Sequence, residues 1–220
     1  DTAQLLRRHD VTFNVLTVVT NDTADKLDLV YDFFARHDLR WQQYIPCLDA
    51  FGENQGWLTV DKYSQFLCRL FDRWAEDVMQ GRFIYIRQFE NYLGMLLGRP
   101  AESCGMMGCC GMQYTVEADG SVYPCDFYVL DAYRLGSFVT DDFDALDEKR
   151  HALRFVEDSA EKDAECLKCR YYPLCRGGCR RDRDDGAGHL SRTRFCSAYM
   201  KFFDYALPRL QHIAARCANR

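Results

Sequence analysis

The hydrophobic pattern of this chain changes period several times before residue 100. Residues 12–20, TFNVLTVVT, are a β-branched apolar run, the pattern of a strand covered on both faces. In the DKLDLVYDFFARHD that follows, Leu27, Val30, Tyr31 and Phe34 recur at helical spacing. WQQYIPC (41–47) is a second short strand, ended by Pro46. Strand, helix and strand in that order predict a right-handed βαβ unit with a parallel pair. From Asp61 onward, Tyr63, Phe66, Leu67, Leu70, Phe71, Trp74 and Val78 line one face of a long helix, a core stripe rather than a cofactor site. RFIYIRQFENYLGMLLG adds a short strand or extended piece and a short helix, ending near Gly98 and Pro100.

Beyond Pro100 the chain turns to glycine, cysteine and turn residues, which sets a domain boundary: 1–99 and 100–220. QYTVEADGSVYPC reads as a β-hairpin, two alternating runs around Asp119-Gly120, the dipeptide favoured by a type I′ turn. That hairpin puts Cys125 and Asp126 at the exit of its second strand and Cys110 just before its first. RRDRDDGAGHLSR (180–192) reads as a solvated loop whose mixed charges need no further role, and a last amphipathic helix is expected over about 198–217. The opening DTAQLLRRHDVTF reads as the middle of a helix, so the chain is expected to be a fragment of a longer protein.

Charge and composition narrow the function classes. The formal net charge of −5 leaves no basic surplus for a general nucleic-acid binder. No 18-residue apolar run marks a membrane span, and no signal peptide opens the sequence. Twelve cysteines are many for 220 residues, and ten of them follow residue 100. A disulfide-stapled secreted fold is opposed by the lack of an export signal and by the ordinary α/β character of the first hundred residues.

The later cysteines form an array. Cys110-x9-Gly120-x4-Cys125 is followed by Cys166-x2-Cys169-x5-Cys175-x3-Cys179 and then Cys196, with Cys104 just upstream. These eight thiols suffice for two four-thiolate sites. In compact runs of this kind the fourth thiol often reaches a neighbouring cluster. That logic groups Cys166, Cys169 and Cys175 with Cys196, and sends Cys179 to join Cys104, Cys110 and Cys125. Gly177-Gly178 would let backbone come close to sulfur. Spacing alone leaves structural zinc and iron–sulfur clusters equally open.

This array resembles the seven-cysteine signature of SPASM domains, the C-terminal extensions of radical S-adenosylmethionine (SAM) enzymes. More narrowly, ESCGMMG, VEADGSVYPCDFYVLD, CRGGCRRDRD and FFDYALPRL resemble the anaerobic sulfatase-maturating enzymes. The resemblance implies an α/β fold: the end of a partial (β/α)6 barrel, with 12–20 and 41–46 as its last two strands, then a Cys-rich SPASM domain with a β-hairpin and a C-terminal helix. It implies two [4Fe–4S] clusters here, auxiliary cluster I on Cys104, Cys110, Cys125 and Cys179 and auxiliary cluster II on Cys166, Cys169, Cys175 and Cys196. SAM and a third [4Fe–4S] cluster would belong to the full-length enzyme. The implied reaction is oxidation of a sulfatase Cys or Ser to Cα-formylglycine. A 5′-deoxyadenosyl radical takes hydrogen from Cβ, a base takes a proton, and an electron leaves through the clusters. Asp126 holds the position of the family's proposed base, and Ile45 could lie against the SAM adenine, or be a barrel-core isoleucine.

The resemblance further implies an unfolded or nascent sulfatase as substrate, a flavodoxin- or ferredoxin-type electron partner, a cytoplasmic monomer, and no nucleic-acid or membrane partner. The sequence departs from the family in lacking the C-x3-C-x2-C segment that holds the SAM-cleaving cluster. Other readings stand beside this one: a SPASM enzyme that forms thioether links in another peptide, a zinc-stapled interaction module, or an electron carrier. Asp126 could instead cap the turn after the strand. Cys47, Cys68 and Cys217 read as structural thiols, while Cys109 could replace Cys110. Arg176, Arg180 and Arg181 put positive charge beside the clusters, or lie in a solvated loop.

Overall fold

The computed structural model describes residues 2–51, 53 and 55–218. They form two compact units: one takes the residues up to Ser103 together with those from Arg194 onward, the other runs from Cys104 to Thr193.

The first unit opens with α1 (Thr2–Arg8), β1 (Val15–Val19), α2 (Asn21–Asp25), α3 (Leu27–Arg36) and β2 (Trp41–Pro46). It continues through α4 (Val60–Met79), β3 (Tyr85–Ile86) and α5 (Arg87–Leu96), and the chain returns to it with α11 (Cys196–Ala218), the last of its helices. The helix expected after β1 is α3, and a short helix, α2, precedes it, the two meeting at Lys26. Thr20 caps α2, its hydroxyl accepting the Thr23 N–H at 3.1 Å, and α3 then buries Leu27, Tyr31 and Phe34. The parallel pair is present, with Val15 opposite Gln42 and Val18 opposite Ile45, and β3 adds a third parallel strand beyond β2.

β1 is not covered on both faces. Leu16 and Val18 are 57% and 54% exposed, because alternate residues of a strand point to opposite sides and only one side of this sheet is packed. The packed side belongs to α4, whose Tyr63, Phe66, Leu67, Leu70, Phe71 and Trp74 are buried as the stripe predicts; Val78 is only half-buried. α11 packs on α4 and α5. Phe71, Phe89 and Phe202 meet there, with ring centroids 5.4 Å apart for Phe71–Phe89 and 5.8 Å for Phe89–Phe202, distances at which aromatic pairs attract beyond their burial. No helix among the described residues is long and apolar enough to cross a membrane.

Glu90 on α5 lies in this core. Burial lifts its carboxyl to about 7; a hydrogen bond from Trp74 opposes the rise and the charge of Glu102 adds to it. An unfolded glutamate titrates near 4.3. The folded state therefore keeps a proton that the unfolded state has lost between about pH 4.3 and 7. The associated stability is complete below the unfolded value and is lost as pH rises through 7. Glu90→Gln should be more stable than the parent at pH 8, by on the order of 1–2 kcal/mol, and not at pH 4. Urea titrations at both pH values test this; a difference independent of pH would contradict it.

The second unit holds α6 (Cys104–Met107), β4 (Thr115–Val116), β5 (Ser121–Tyr123), β6 (Gly136–Ser137), α7 (Phe143–Leu153), α8 (Phe155–Ser159), α9 (Ala164–Lys168) and α10 (Tyr172–Cys175). The hairpin is there, with Thr115 opposite Tyr123 and Val116 opposite Val122, but its turn is not type I′. Gly120 N–H donates to the Glu117 carbonyl at 2.9 Å and only Gly120, at φ +84°, is left-handed. That is a three-residue loop closed by a glycine bulge. Asp119 selects it by accepting both the N–H and the hydroxyl of Ser121 at 2.9 Å. A side chain at Gly120 would also strike Val139 Cγ2 at 2.7 Å. β6 joins β5 as a third antiparallel strand, over a small core of Val122, Leu135 and Leu146.

The 180–192 segment differs most from expectation. Arg180 and Asp182 of a 3-10 turn over Arg180–Asp182 are buried, and so is Arg183; Asp185 to His189, Ser191 and Arg192 are the exposed residues of the segment.

Candidate metal centre

Of the candidate thiols in the second unit, Cys104, Cys110, Cys125 and Cys179 are each carried by a different local element. Cys104 opens α6, and the Gly105 backbone lies against Cys179: a Cβ on Gly105 would stand 3.5 Å from the Cys179 Cβ. Cys110 is fixed from behind, its N–H donating to Ser159 Oγ at 2.7 Å. Cys125 and Cys179 use one device twice. Each is the N-cap of a 3-10 turn, Asp126–Tyr128 and Arg180–Asp182.

The charge of Cys104 acts on Cys110 and Cys179, and that of Cys110 on Cys125 and Cys179, so the four form one electrostatic group. Burial dominates their chemistry. It pushes the Cys125 thiol up to about 12 and raises Cys110 and Cys179 as well, Asp126 adding to the effect at Cys125 and Asp182 at Cys179. These thiols stay protonated at neutral pH until a cation takes the proton's place.

Among the described residues no three His, Cys, Asp or Glu side chains close around a single metal ion. The donor set and nearby positive charge fit an anionic four-thiolate cluster. That positive charge is Arg180 and Arg183, which act on Cys110, while Cys110 and Cys179 act in turn on Arg183. Both guanidiniums are buried, and their Nε atoms meet no acceptor among the described residues. Charge spacing in RRDRDD gave no hint of this burial; adjacency to Cys179 was the only available signal.

The second group is also local. Cys166 lies in α9, Cys169 caps that helix with its N–H on the Cys166 carbonyl at 3.1 Å, and Cys175 ends α10. Arg176, Gly177 and Gly178 then take three successive left-handed conformations that turn the chain toward Cys179. Gly177 is needed there for its backbone and because a Cβ would meet the Lys162 Cδ at 2.9 Å. Cys196, expected to complete this group, is the first residue of α11 in the other unit.

Asp126 is exposed, and its Oδ1 accepts from the Cys125 thiol at 3.3 Å. It caps no turn: among the described residues its carboxylate accepts no backbone N–H. Tyr123 and Tyr128 beside it are buried, Phe127 half-buried. In the first unit, Ile45 is half-buried on β2 opposite Val18. Cys47 is tied to β1 through its N–H on the Val19 carbonyl at 2.9 Å, burial raises the Cys68 thiol on α4, and Cys217 is exposed on α11. None of the twelve cysteines forms a disulfide.

Residues 106–170 match the SPASM family, an iron–sulfur cluster-binding domain. The whole chain is, in turn, similar to anaerobic sulfatase-maturating enzymes. It is 38% identical over 99% of its length to a cysteine-type anaerobic sulfatase-maturating enzyme of Clostridium novyi (strain NT). It is 42% identical over 96% of its length to the cysteine-type enzyme of Clostridium perfringens (strain 13 / Type A). The chain spans 59% of the length of each of these curated relatives. A solved structure described as native anSMEcpe with bound AdoMet and Kp18Cys peptide superposes with a TM-score of 0.88 at 42% identity, covering 97% of this chain and 60% of that one. The fold is therefore α/β, that of the C-terminal part of these enzymes.

Proposed function

We propose that this chain is the cluster-bearing part of an enzyme that converts a sulfatase Cys or Ser into Cα-formylglycine. The observation that carries the reading is the Cys125 thiol donating to Asp126 at 3.3 Å, in a chain similar over 96–99% of its length to anaerobic sulfatase-maturating enzymes. Cysteine-type relatives match at 38% and 42% identity against 25% for a serine-type one, and a similar solved structure holds AdoMet and a peptide, which favours a cysteine in an extended, unfolded polypeptide as the target.

In this reading Cys104, Cys110, Cys125 and Cys179 hold one [4Fe–4S] cluster. The second keeps the assignment made from spacing: Cys166, Cys169 and Cys175 with Cys196. SAM and a third cluster belong to the full-length protein. When bound, these groups supply hydrogen-atom abstraction at the target Cβ and an exit for the electron. The chain's own residues do the rest. Cys125 loses its proton on becoming a ligand and stops donating to Asp126, whose carboxylate then has no donor among the described residues. Asp126 takes the proton of the target thiol or hydroxyl as the electron departs, which avoids a charged radical in a dry site. Buried Tyr123 and Tyr128 keep water from one side of it. Ile45, on the open face of the sheet, is assigned to the SAM adenine. The electron passes to a flavodoxin- or ferredoxin-type protein. Reduced thiols on this scale suit the cytosol, where a monomeric enzyme would meet nascent sulfatase.

Metal analysis after anaerobic reconstitution with iron and sulfide tests the reading. About eight iron and eight sulfide per chain, with a brown colour bleached by dithionite, are expected. About two zinc ions and no acid-labile sulfide in protein purified without oxygen would replace it with a zinc-stapled module.

A further inference from the structure

Three cations crowd the first thiolate group. Arg183 is 3% exposed and Arg180 6% exposed, and Lys162 is half-buried. Arg183 reaches the carbonyls of Glu161 at 2.6 Å and Ser159 at 2.5 Å, and Arg180 that of Phe155 at 2.6 Å. The Arg180 guanidinium also lies over the rings of Phe155 and Tyr128, at 4.3 and 5.5 Å from their centroids. Lys162 Nζ gathers the carbonyls of Gly108, Ser159 and Ala160 at 2.6, 2.8 and 2.9 Å, pinning the loop that carries Cys109 and Cys110.

None of the three forms an ion pair with a carboxylate among the described residues. Buried Asp182 acts on Cys179, and Asp184 takes the Tyr128 hydroxyl at 2.8 Å. Neutral carbonyls and ring faces satisfy some donors, yet the Nε atoms of Arg180 and Arg183 remain without acceptors, and each guanidinium feels the other's like charge. Buried cations left unpaired are strongly unfavourable. Such an arrangement makes sense only when a negative body occupies the space they surround, and the groups that share their field are Cys110 and Cys179.

We propose that Lys162, Arg180 and Arg183 are the built-in counter-charge of the first thiolate site. They hold the net negative charge of a cluster on Cys104, Cys110, Cys125 and Cys179 and set how readily it takes up an electron. This rests on the cluster reading above. Four thiolates leave such a cluster anionic, and one-electron reduction, with the electron released by substrate oxidation, makes it more so. Fixed cations stabilise the reduced form more than the oxidised one and raise the potential. They are positioning residues: they act through the cluster.

The test compares Arg183→Met, Arg180→Met and Arg183→Lys with the parent, all as the full 220-residue chain. Each is unfolded thermally before and after anaerobic reconstitution and titrated with dithionite. Before reconstitution Arg183→Met should have a Tm equal to or above the parent, because an uncompensated charge is gone; after it, the Tm should fall below. Both Met variants should show one cluster at a more negative potential and the other unchanged, and a chelator should strip iron from the shifted cluster about tenfold faster. Arg183→Lys keeps the charge and should return the potential toward the parent value. Equal potentials in all four proteins, or Met variants destabilised to the same extent with and without cluster, would overturn the proposal and leave the arginines as props for backbone carbonyls. A parent that takes up no iron and sulfide would instead remove the cluster reading on which it stands.

Discussion

Asp126→Asn should abolish formylglycine formation by the full-length protein, lowering the rate by about 10²–10⁴-fold or more, while iron and sulfide content stay as in the parent. The side chains are nearly isosteric, and an amide at 126 can still meet the Cys125 sulfur that Asp126 contacts at 3.3 Å. What the amide cannot do is hold a proton from the target. Loss of activity with both clusters intact is thus specific to the base. The pair that looked ambiguous in the sequence is sharpened by geometry: the competing role of Asp126, a cap on the turn after β5, requires a backbone N–H that it does not receive among the described residues. Turnover that survives the substitution would dismiss Asp126 as the base and return it to the surface of a 3-10 turn. Because the chain spans 59% of its curated relatives, the assay needs the full-length protein and a cysteine peptide.

Periodicity made the first hundred residues readable. The α4 stripe is buried because apolar residues at three- and four-residue intervals share one side of a helix, and the parallel order of β1 and β2 follows from the helix between them. The second face of β1 was misread for a physical reason. TFNVLTVVT has the same composition whether a strand is covered on one side or two, and only packing tells them apart. Turn chemistry misled once: Asp119-Gly120 fits a type I′ turn, but the Asp119 carboxylate bonding Ser121 selects the longer loop.

The site was legible where chemistry repeats in sequence and illegible where it depends on burial. Cysteine spacing groups Cys104, Cys110 and Cys125 with Cys179 across more than fifty residues, a grouping left to the metal assays on their Ala variants. The same logic could not reach Arg183, Lys162 or Ser159, because long charged side chains give no sign of their depth. RRDRDD has the composition of a solvated loop, yet the 3-10 turn after Cys179 carries its first arginine inward. The tolerance of Arg180 for that depth comes from three rings, Phe155, Tyr128 and Tyr133, from distant parts of the chain.

Two adjacent thiols compete for one ligand position, and their substitutions should separate cleanly. Cys110→Ala should lose one cluster, leaving about four iron and four sulfide of about eight, and Cys109→Ala should lose neither. The backbone decides between them. The Cys110 N–H is held by Ser159 Oγ at 2.7 Å, and Ser159, wholly buried, donates its hydroxyl to the Val156 carbonyl at 2.5 Å, so the loop carrying Cys110 cannot slide by one residue without breaking a buried pair. The Cys110 charge also acts on Cys125 and Cys179, which ties it to two of its proposed co-ligands. Metal and sulfide assays on the two variants, each reconstituted alongside Cys179→Ala, give the answer. Cys179→Ala should match Cys110→Ala in iron lost and in which of the two reduction steps disappears, since both remove a corner of one cluster. Because ligand and fold are coupled, both should unfold at lower temperature than the reconstituted parent. Iron loss from Cys109→Ala alone would transfer the ligand role to Cys109. Different reduction steps lost from Cys110→Ala and Cys179→Ala would break the four-thiol group apart, and with it the placement of Asp126 beside the cluster nearest the substrate.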